Sequence, residues 1–185
     1  MRQILAHLGT PYERIELDVV DRSNRPEILG GKNPALRVPT LELDDGAHLA
    51  ESNAILWYLA DGTPYLPDDR LARARVLQWM FFEQYELEPA VAVARFWISI
   101  LGERDRYAGE LKAKWRAGNR ALAALDGHLD SREWLVGATY SAADISLYAY
   151  THVAEEGEFD LSPYPNVRAW LERVAAAPGH VPLQA

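Results

Sequence analysis

The stretch that decides the fold is "LRVPTLELDDGAHLAESNAILWYL", which spans Leu36–Leu59. Leu41 and Leu43 alternate with polar neighbours and lead into Asp45–Gly46, a pattern that predicts a hairpin of two antiparallel strands. The apolar residues then change to a helical spacing, which predicts a helix over Ala54–Ala60. A hairpin followed directly by a helix indicates a small α/β layer in this part of the chain.

The residues before this stretch predict further elements of the same layer. A short amphipathic helix ends at Gly9, because glycine readily adopts the left-handed backbone that stops a helix. The sequence "YERIELDVV" (Tyr12–Val20) alternates apolar and charged residues, which predicts a half-buried strand. A loop with a short helix around Pro26–Leu29 then leads to the hairpin.

The chain changes character at "DGTPYLPDD" (Asp61–Asp69), where glycine and prolines predict a linker. Every strong pattern after this segment is helical. The sequence therefore predicts an α/β domain over residues 1–62, a linker over 63–69 and an all-helical domain over 70–185.

Three patterns stand out in the helical half. A long apolar segment follows the linker, and Pro89 should bend or divide it. One stripe of this segment is formed by Leu71, Ala74, Leu77 and Phe81. The next helix carries an apolar seam of Tyr107, Leu111, Trp115, Gly118, Leu122, Leu125 and Leu129. In "YSAADI", Ser141 is the predicted N-cap of a further helix, with Asp144 placed to complete a capping box.

The composition argues against several classes of function. The 185 residues include 19 basic and 27 acidic ones, a net charge of −8, which argues against nucleic acid and anionic membranes as partners. The absence of cysteine excludes a disulfide framework and a cysteine nucleophile. The histidines lack metal-site spacing, so no metal is expected. No membrane span or signal peptide is evident, so a cytoplasmic location is expected.

Val38 and Pro39 form the first candidate site. A proline at the start of a hairpin strand removes one backbone donor and keeps the preceding residue extended. If the peptide bond between the two residues is cis, the backbone N–H and C=O of Val38 could pair with a peptide-like ligand. The alternative is a trans proline that simply starts an edge strand.

Glu51 and Ser52 form the second candidate site, at the start of the helix after the hairpin. Free N–H groups and the positive end of the helix dipole attract a carboxylate there. The Ser52 hydroxyl could add a donor, and the Glu51 carboxylate could hold an ammonium group. An α-amino-acid head group would suit this pair, and the alternative is that Ser52 only caps the helix.

These motifs resemble those of the glutathione S-transferases, particularly the bacterial cytosolic type. "RVPTLELDDG" is similar to the family's cis-proline loop, and "AESNAILWYLA" is similar to its Glu-Ser signature. "PYLPDD" resembles the interdomain linker, and "YSAADI" resembles the capping box of the helical domain. The four motifs occur in the family's order and span most of the chain.

The resemblance implies an α/β thioredoxin-like N-terminal domain and an all-α C-terminal helical bundle. It implies a homodimer that binds glutathione as its substrate and takes part in detoxification. By the same resemblance, Val38 would bond the cysteinyl backbone of glutathione and Pro39 would be cis. Glu51 and Ser52 would hold the γ-glutamyl end, and the loop around Ser23–Arg25 lies where the family contacts the glycine carboxylate.

Family members begin with a strand and a loop that precede the first helix seen here. That loop carries the residue that activates the glutathione sulfur. We therefore expect the first strand and the catalytic residue upstream of Met1, and no residue of these 185 is assigned to that role. Tyr12 lies beyond the first helix and is not a substitute.

The resemblance leaves two functional hypotheses open. The first is an enzyme that conjugates glutathione to an apolar electrophilic small molecule, or that reduces disulfides with glutathione. Tyr85, Phe96 and Trp97 are the candidate residues of the co-substrate pocket. The second hypothesis is a non-catalytic module that binds glutathione, another ligand or a partner. This hypothesis is favoured because no residue of the chain is assigned as the thiol activator.

Overall fold

The structure is a computed structural model that describes residues 1–183. Its first part contains three helices and one hairpin, which were all expected from the sequence. These elements are α1 (Arg2–Leu8), α2 (Arg25–Leu29), β1 (Thr40–Glu42), β2 (His48–Ala50) and α3 (Ser52–Ala60).

The two strands form the predicted antiparallel hairpin. Thr40 pairs with Ala50 at the open end of the hairpin, and Glu42 pairs with His48 near the turn. The turn is closed by the bond from the Gly46 N–H to the Leu43 carbonyl, at 2.9 Å. Gly46 has a φ of 82°, a conformation that glycine adopts without steric cost.

The strand predicted over Tyr12–Val20 is not formed, so this prediction is wrong. The segment is irregular, and two apolar residues of its pattern, Ile15 and Val19, are 69% and 46% exposed. A strand needs a neighbouring ladder to satisfy its backbone groups. In residues 1–183, β1 and β2 pair only with each other, so the alternating pattern has no partner strand.

Within residues 1–183, all regular elements of the second part are helical, which confirms the predicted fold class. Its α-helices are α4 (Arg70–Phe82), α5 (Glu88–Arg95), α6 (Ala108–Leu129), α7 (Ala142–Thr151) and α8 (Pro165–Ala175). Two π-helical turns continue the long first segment, over Glu83–Leu87 and Phe96–Ile100, and a 3₁₀ turn covers Ala154–Gly157.

The first π-helical turn ends at Leu87, two residues before Pro89. Proline has no N–H for the carbonyl four residues earlier, and its ring crowds that carbonyl. The wider turn over Glu83–Leu87 accommodates this defect without interrupting the helix, since Leu87 and Glu88 keep right-handed helical backbone angles. As a result, Glu83 lies in a turn with irregular hydrogen bonding.

The core of the helical domain follows the predicted seam of α6. Leu111, Leu122 and Leu125 are fully buried on this helix. Gly118 permits a close approach, because a Cβ built at this position would lie 2.3 Å from the Phe159 ring. The seam therefore needs glycine at this one position to admit the aromatic ring.

The predicted capping box at the start of α7 is present. The Asp144 carboxylate accepts from the Ser141 N–H at 2.9 Å and from its hydroxyl at 3.0 Å. It also accepts from the Leu135 N–H at 3.1 Å and from the Trp170 indole at 2.9 Å. Asp144 is fully buried, and burial raises its pKa although these four bonds favour the ionised form.

The apolar stripe of α4 that the sequence indicates is exposed. Leu71 and Phe81 are both 58% exposed, while the core face of the helix carries Val76, Trp79 and Met80. The helix is apolar on two faces, so periodicity alone did not identify the buried one. The exposed stripe, Leu71–Ala74–Leu77–Phe81, remains available for a partner.

The domain limits at residues 1–62, 63–69 and 70–185 stay a prediction, and residues 184–185 lie outside the described part. Across residues 1–183, no helix has the length and apolar character needed to cross a membrane.

Candidate functional site

The register of the hairpin brings the two candidate sites together. Thr40 and Ala50 are partners at the end opposite the turn. Val38–Pro39 precede Thr40, and Glu51–Ser52 follow Ala50, so both pairs leave the sheet at the same edge. The site is therefore built on neighbouring backbone segments, although its members lie more than ten residues apart.

The Val38–Pro39 peptide bond is cis, as the family resemblance implied, so the alternative of a trans proline is wrong. The Val38 side chain is 43% exposed. Within residues 1–183, no hydrogen bond to the backbone N–H or C=O of Val38 is formed. Both groups are therefore free to pair with an extended, peptide-like ligand.

Two buried side chains fix the loop that carries Val38. The Asn33 amide donates to the Arg37 carbonyl at 2.8 Å and to the Thr40 hydroxyl at 3.1 Å. The Arg25 guanidinium donates to the Leu36 carbonyl at 3.3 Å and is only 6% exposed. The sequence alone did not identify these supports, because their partners are backbone carbonyls that leave no pattern.

Glu51 has an unusual backbone conformation at the start of α3. Its φ is 71° and its ψ is 118°, a region that residues other than glycine rarely adopt. Such conformations cluster at functional sites, where the surrounding structure holds them in place. Glu51 is exposed, so its carboxylate is accessible to a ligand.

Helix α3 begins at Ser52, two residues earlier than predicted, and Glu51 is its N-cap residue. The alternative that Ser52 caps the helix is wrong, since no side chain caps α3 and Ser52 lies inside its first turn. The first N–H groups of a helix have no partner within it. The Ser52 hydroxyl also lacks a hydrogen-bond partner among residues 1–183. These donors and the helix dipole suit a carboxylate.

A groove of about 610 Å³ lies between α3 and α4, beside this helix start. Glu51 and Tyr85 both line it, so the structure brings this predicted pocket residue to the candidate site. Trp97 lies elsewhere and stacks on Tyr107 with ring centroids 4.3 Å apart. Phe96 and Trp97 follow Tyr85 by three helical turns, about 17–18 Å along an ideal axis. The assignment of all three residues to a co-substrate pocket stays a prediction.

Asn53 ties the start of α3 to the helical domain, a connection that the sequence analysis missed. Its amide nitrogen donates to the Met80 carbonyl and to the Glu83 carboxylate, both at 3.0 Å. Its amide oxygen accepts from the Ser146 hydroxyl at 2.7 Å. Every polar atom of the Asn53 side chain is therefore used to join α3 to α4 and α7.

Glu83 is an acidic residue in the core of the helical domain. It is 3% exposed and accepts from the Gln84 amide at 2.7 Å as well as from Asn53. Burial raises the pKa of Glu83 to about 7, against the opposing effect of these two bonds. The sequence does indicate that Glu83 is buried, because it follows Val76 and Met80 at the helical spacing of the buried face.

The same region holds two further groups with raised pKa values. Burial raises the pKa of Glu88, the negative charge of Glu51 adds to this effect, and Arg37 opposes it. Burial and the nearby Glu88 and Glu83 raise the pKa of Tyr150 to about 12. The region between the hairpin edge and the helical domain is therefore rich in carboxylates. In residues 1–183, no group of three or more metal-ligating side chains is assembled.

Comparison with known proteins supports the same fold. The N-terminal domain model of the glutathione S-transferases matches residues 2–61, and the C-terminal domain model matches residues 77–178. A glutathione S-transferase from Pseudomonas fluorescens Pf-5 is 47% identical and superposes with a TM-score of 0.95. The match covers 98% of this chain and 90% of that one.

Two more distant relatives have a bound ligand or a named activity. A glutathione transferase from Burkholderia graminis, solved with two glutathione molecules bound per subunit, is 28% identical, with a TM-score of 0.83. The match covers 96% of this chain and 79% of that one. The disulfide-bond oxidoreductase YfcG of Escherichia coli K12 is 32% identical over 176 residues, which cover 90% of this chain and 80% of the relative. With both domain models matched in order, the chain belongs to the glutathione S-transferase family.

Proposed function

We propose that this protein binds glutathione and uses its sulfur to conjugate electrophilic small molecules or to reduce disulfides. The observation that carries the proposal is the hairpin register, in which Thr40 faces Ala50. It sets the free backbone groups of Val38 beside the uncapped start of α3. Glutathione presents a peptide backbone and an amino-acid head group, which match these two features in order.

Each part of glutathione has a chemical partner in this arrangement. The N–H and C=O of Val38 pair with the cysteinyl backbone of glutathione. The hydroxyl of Ser52 and the first N–H groups of α3 hold the γ-glutamyl carboxylate. The Glu51 carboxylate holds the γ-glutamyl ammonium group, so both charges of this head group are neutralised.

The chemistry requires the sulfur of glutathione as a thiolate. A free thiol has a pKa of about 8.5, so only a few per cent is ionised at neutral pH. In conjugation, the sulfur bonds to an electrophilic carbon while the leaving group takes the bonding electrons. In disulfide reduction, the sulfur attacks one disulfide sulfur and expels the other as a thiolate.

The chain contains no cysteine, so its own residues supply no thiol for the second reaction. The mixed disulfide then forms on glutathione, and a second glutathione resolves it to glutathione disulfide. The relative from Burkholderia graminis binds two glutathione molecules per subunit, which supports a site with space for both glutathione molecules of this reaction. We assign no thiol-activating residue within residues 1–183, and Tyr85 is the best candidate to contact an apolar co-substrate.

We also propose a homodimer whose second copy covers part of the groove between α3 and α4 and leaves Tyr85 open to a co-substrate. The groove is lined by Trp57, Leu77 and Phe81, and the exposed stripe of α4 continues it. A run of exposed apolar side chains on one helix face is typical of a protein interface. A second copy is the partner that fits, since the family resemblance implies a dimer. A cytoplasmic location and a role in detoxification stay predictions.

Two assays test this function on the same purified protein. We expect the protein to accelerate conjugation of glutathione to chlorodinitrobenzene, or reduction of hydroxyethyl disulfide, above the rate of free glutathione. A Ser52→Ala variant should lower either rate through weaker glutathione binding. Saturable glutathione binding without acceleration in either assay would instead favour a non-catalytic binding module. Absence of binding would contradict the proposed function.

A further inference from the structure

Asn53 lies next to Ser52 in the first turn of α3, and its amide is held by two other helices. Met80 and Glu83 bind its nitrogen, and Ser146 binds its oxygen. Within residues 1–183, the side chains of the proposed ligand groups, Glu51 and Ser52, form no such contacts of their own. Asn53 is therefore the polar contact that links the first turn of α3, next to Glu51 and Ser52, to the helical domain.

Glu83 is the member of this network that can change its charge. Its Oε2 atom accepts both from Asn53 and from Gln84. A carboxylate binds amide donors more strongly than a neutral acid does. A proton on Glu83 would weaken these bonds and would turn one of the two oxygens into a donor. The strength of the connection to Asn53 thus depends on whether Glu83 is ionised.

The surroundings of Glu83 leave its charge without a counter-ion. No ion pair of Glu83 is formed within residues 1–183. The facing ionisable groups are Glu88 on α5 and Tyr150 on α7, which carry no positive charge. On α6, the Lys114 ammonium donates to the Pro89 carbonyl at 2.8 Å. Burial therefore dominates, and the group changes its protonation near neutral pH.

We propose that Glu83 is a positioning residue whose ionised carboxylate holds the first turn of α3, through Asn53, in the form that binds glutathione tightly. This inference rests on the proposed function, because it concerns the affinity of the same site. A negative charge near Glu51 also favours the ammonium group of the ligand. Ligand binding and proton loss from Glu83 then support each other, as linkage requires.

The test is the pH dependence of binding for S-methylglutathione, which has no thiol proton of its own. Calorimetric titrations at pH 6 and pH 8 give the Kd of the wild-type protein, Glu83→Gln and Glu86→Gln. If binding lowers the pKa of Glu83 from about 7 by one unit, the wild-type Kd falls about fivefold between these pH values. Glu83→Gln should lose this dependence.

Glu86→Gln is the matched control, since Glu86 is an exposed residue of the same π-helical turn. It should keep the wild-type pH dependence. A Glu83→Gln protein with the wild-type dependence, or a wild-type Kd that does not change with pH, would overturn the inference while leaving glutathione binding intact. If the wild type binds no S-methylglutathione at either pH, the proposed function fails, and the inference fails with it.

A second readout does not depend on the folding of a variant. The side-chain amide of Asn53 gives its own NMR signals, and these report directly on the bond to Glu83. In the wild-type protein we expect these signals to shift between pH 6 and pH 8. The midpoint of this shift should match the midpoint of the change in Kd. Signals of Asn53 that do not move over this range would overturn the inference, because a purely structural contact does not titrate.

Discussion

In the proposed site, Glu51 and Ser52 together bind a zwitterionic head group. The carboxylate of Glu51 would supply the negative charge, and the start of α3 would supply the donors for the opposite end. The backbone of Glu51, with its φ of 71°, turns the chain sharply from β2 into α3. Within residues 1–183, no side chain bonds to the first N–H groups of α3, and these groups remain available for the ligand.

Replacing Ser52 by alanine removes one hydroxyl donor to the ligand carboxylate. A hydrogen bond to a charged group contributes about 1.5 kcal/mol or more, so glutathione should bind about tenfold more weakly. Thermal unfolding should be nearly unchanged, since no described residue bonds to this hydroxyl. The measurement is calorimetric titration, with Ser162→Ala as the control, whose hydroxyl bonds locally to Asp160 at 2.8 Å. Equal affinities of the two variants would contradict the role of Ser52.

Glu83 should also make stability depend on pH. Its pKa of about 7 in the folded protein lies above the ordinary value of 4.5, so the folded state binds the proton more tightly. Stability is therefore gained as the pH falls from above 7 towards 4.5. The gain attributable to Glu83 is about 2–3 kcal/mol between pH 8 and pH 5.

Urea unfolding at these two pH values measures this contribution. The wild type should gain more stability on acidification than Glu83→Gln, because glutamine carries no ionisable proton. Other titrating groups are shared by both proteins and cancel in the comparison. Unfolding free energies that change in parallel for the two proteins would show that Glu83 keeps an ordinary pKa.

Among the secondary-structure elements, the hairpin and the start of α7 could be predicted from local sequence alone. The Asp45–Gly46 turn and the Ser141–Asp144 capping box depend on residues close in sequence. The strand predicted over Tyr12–Val20 failed because a strand requires a partner elsewhere in the chain. The core network around Asn53 could not be foreseen for the same reason, since its bonds join residues about 30 and 93 positions apart.

Asp144 should be the most sensitive polar residue of the helical domain. Asparagine at this position would turn one acceptor into an NH₂ group that faces the donors of Ser141, Leu135 or Trp170. Unpaired buried donors cost about 1–3 kcal/mol each, so Asp144→Asn should lower the free energy of unfolding by about 3 kcal/mol. Urea unfolding measures the loss, with Asp160→Asn as an exposed control. A loss no larger than that of the control would contradict the role given to the capping box.

In the whole molecule, the exposed stripe of α4 leaves apolar side chains in contact with water on a single copy of the chain. Phe81 is 58% exposed and lines the groove that also contains Glu51. A second copy over this groove would bury the apolar side chains and close one side of the site. The glutathione site and the dimer interface would then share a border.

Phe81→Glu should therefore shift the protein from dimer to monomer. A charge in an apolar interface is left without a partner and strongly disfavours association. Sedimentation velocity measures the change, with Val20→Glu as the control, since Val20 is 54% exposed but lies outside the stripe. A dimer that survives Phe81→Glu, or a wild-type monomer, would refute this interface.

The most direct test of the account is calorimetric titration of the wild-type protein with glutathione and with cysteinylglycine. The second ligand keeps the peptide and thiol that face Val38 but lacks the γ-glutamyl head group assigned to Glu51 and Ser52. We predict saturable binding of glutathione at one site per chain and much weaker binding of cysteinylglycine. Equal affinity for the two ligands, or no binding of glutathione by the folded protein, would contradict the account.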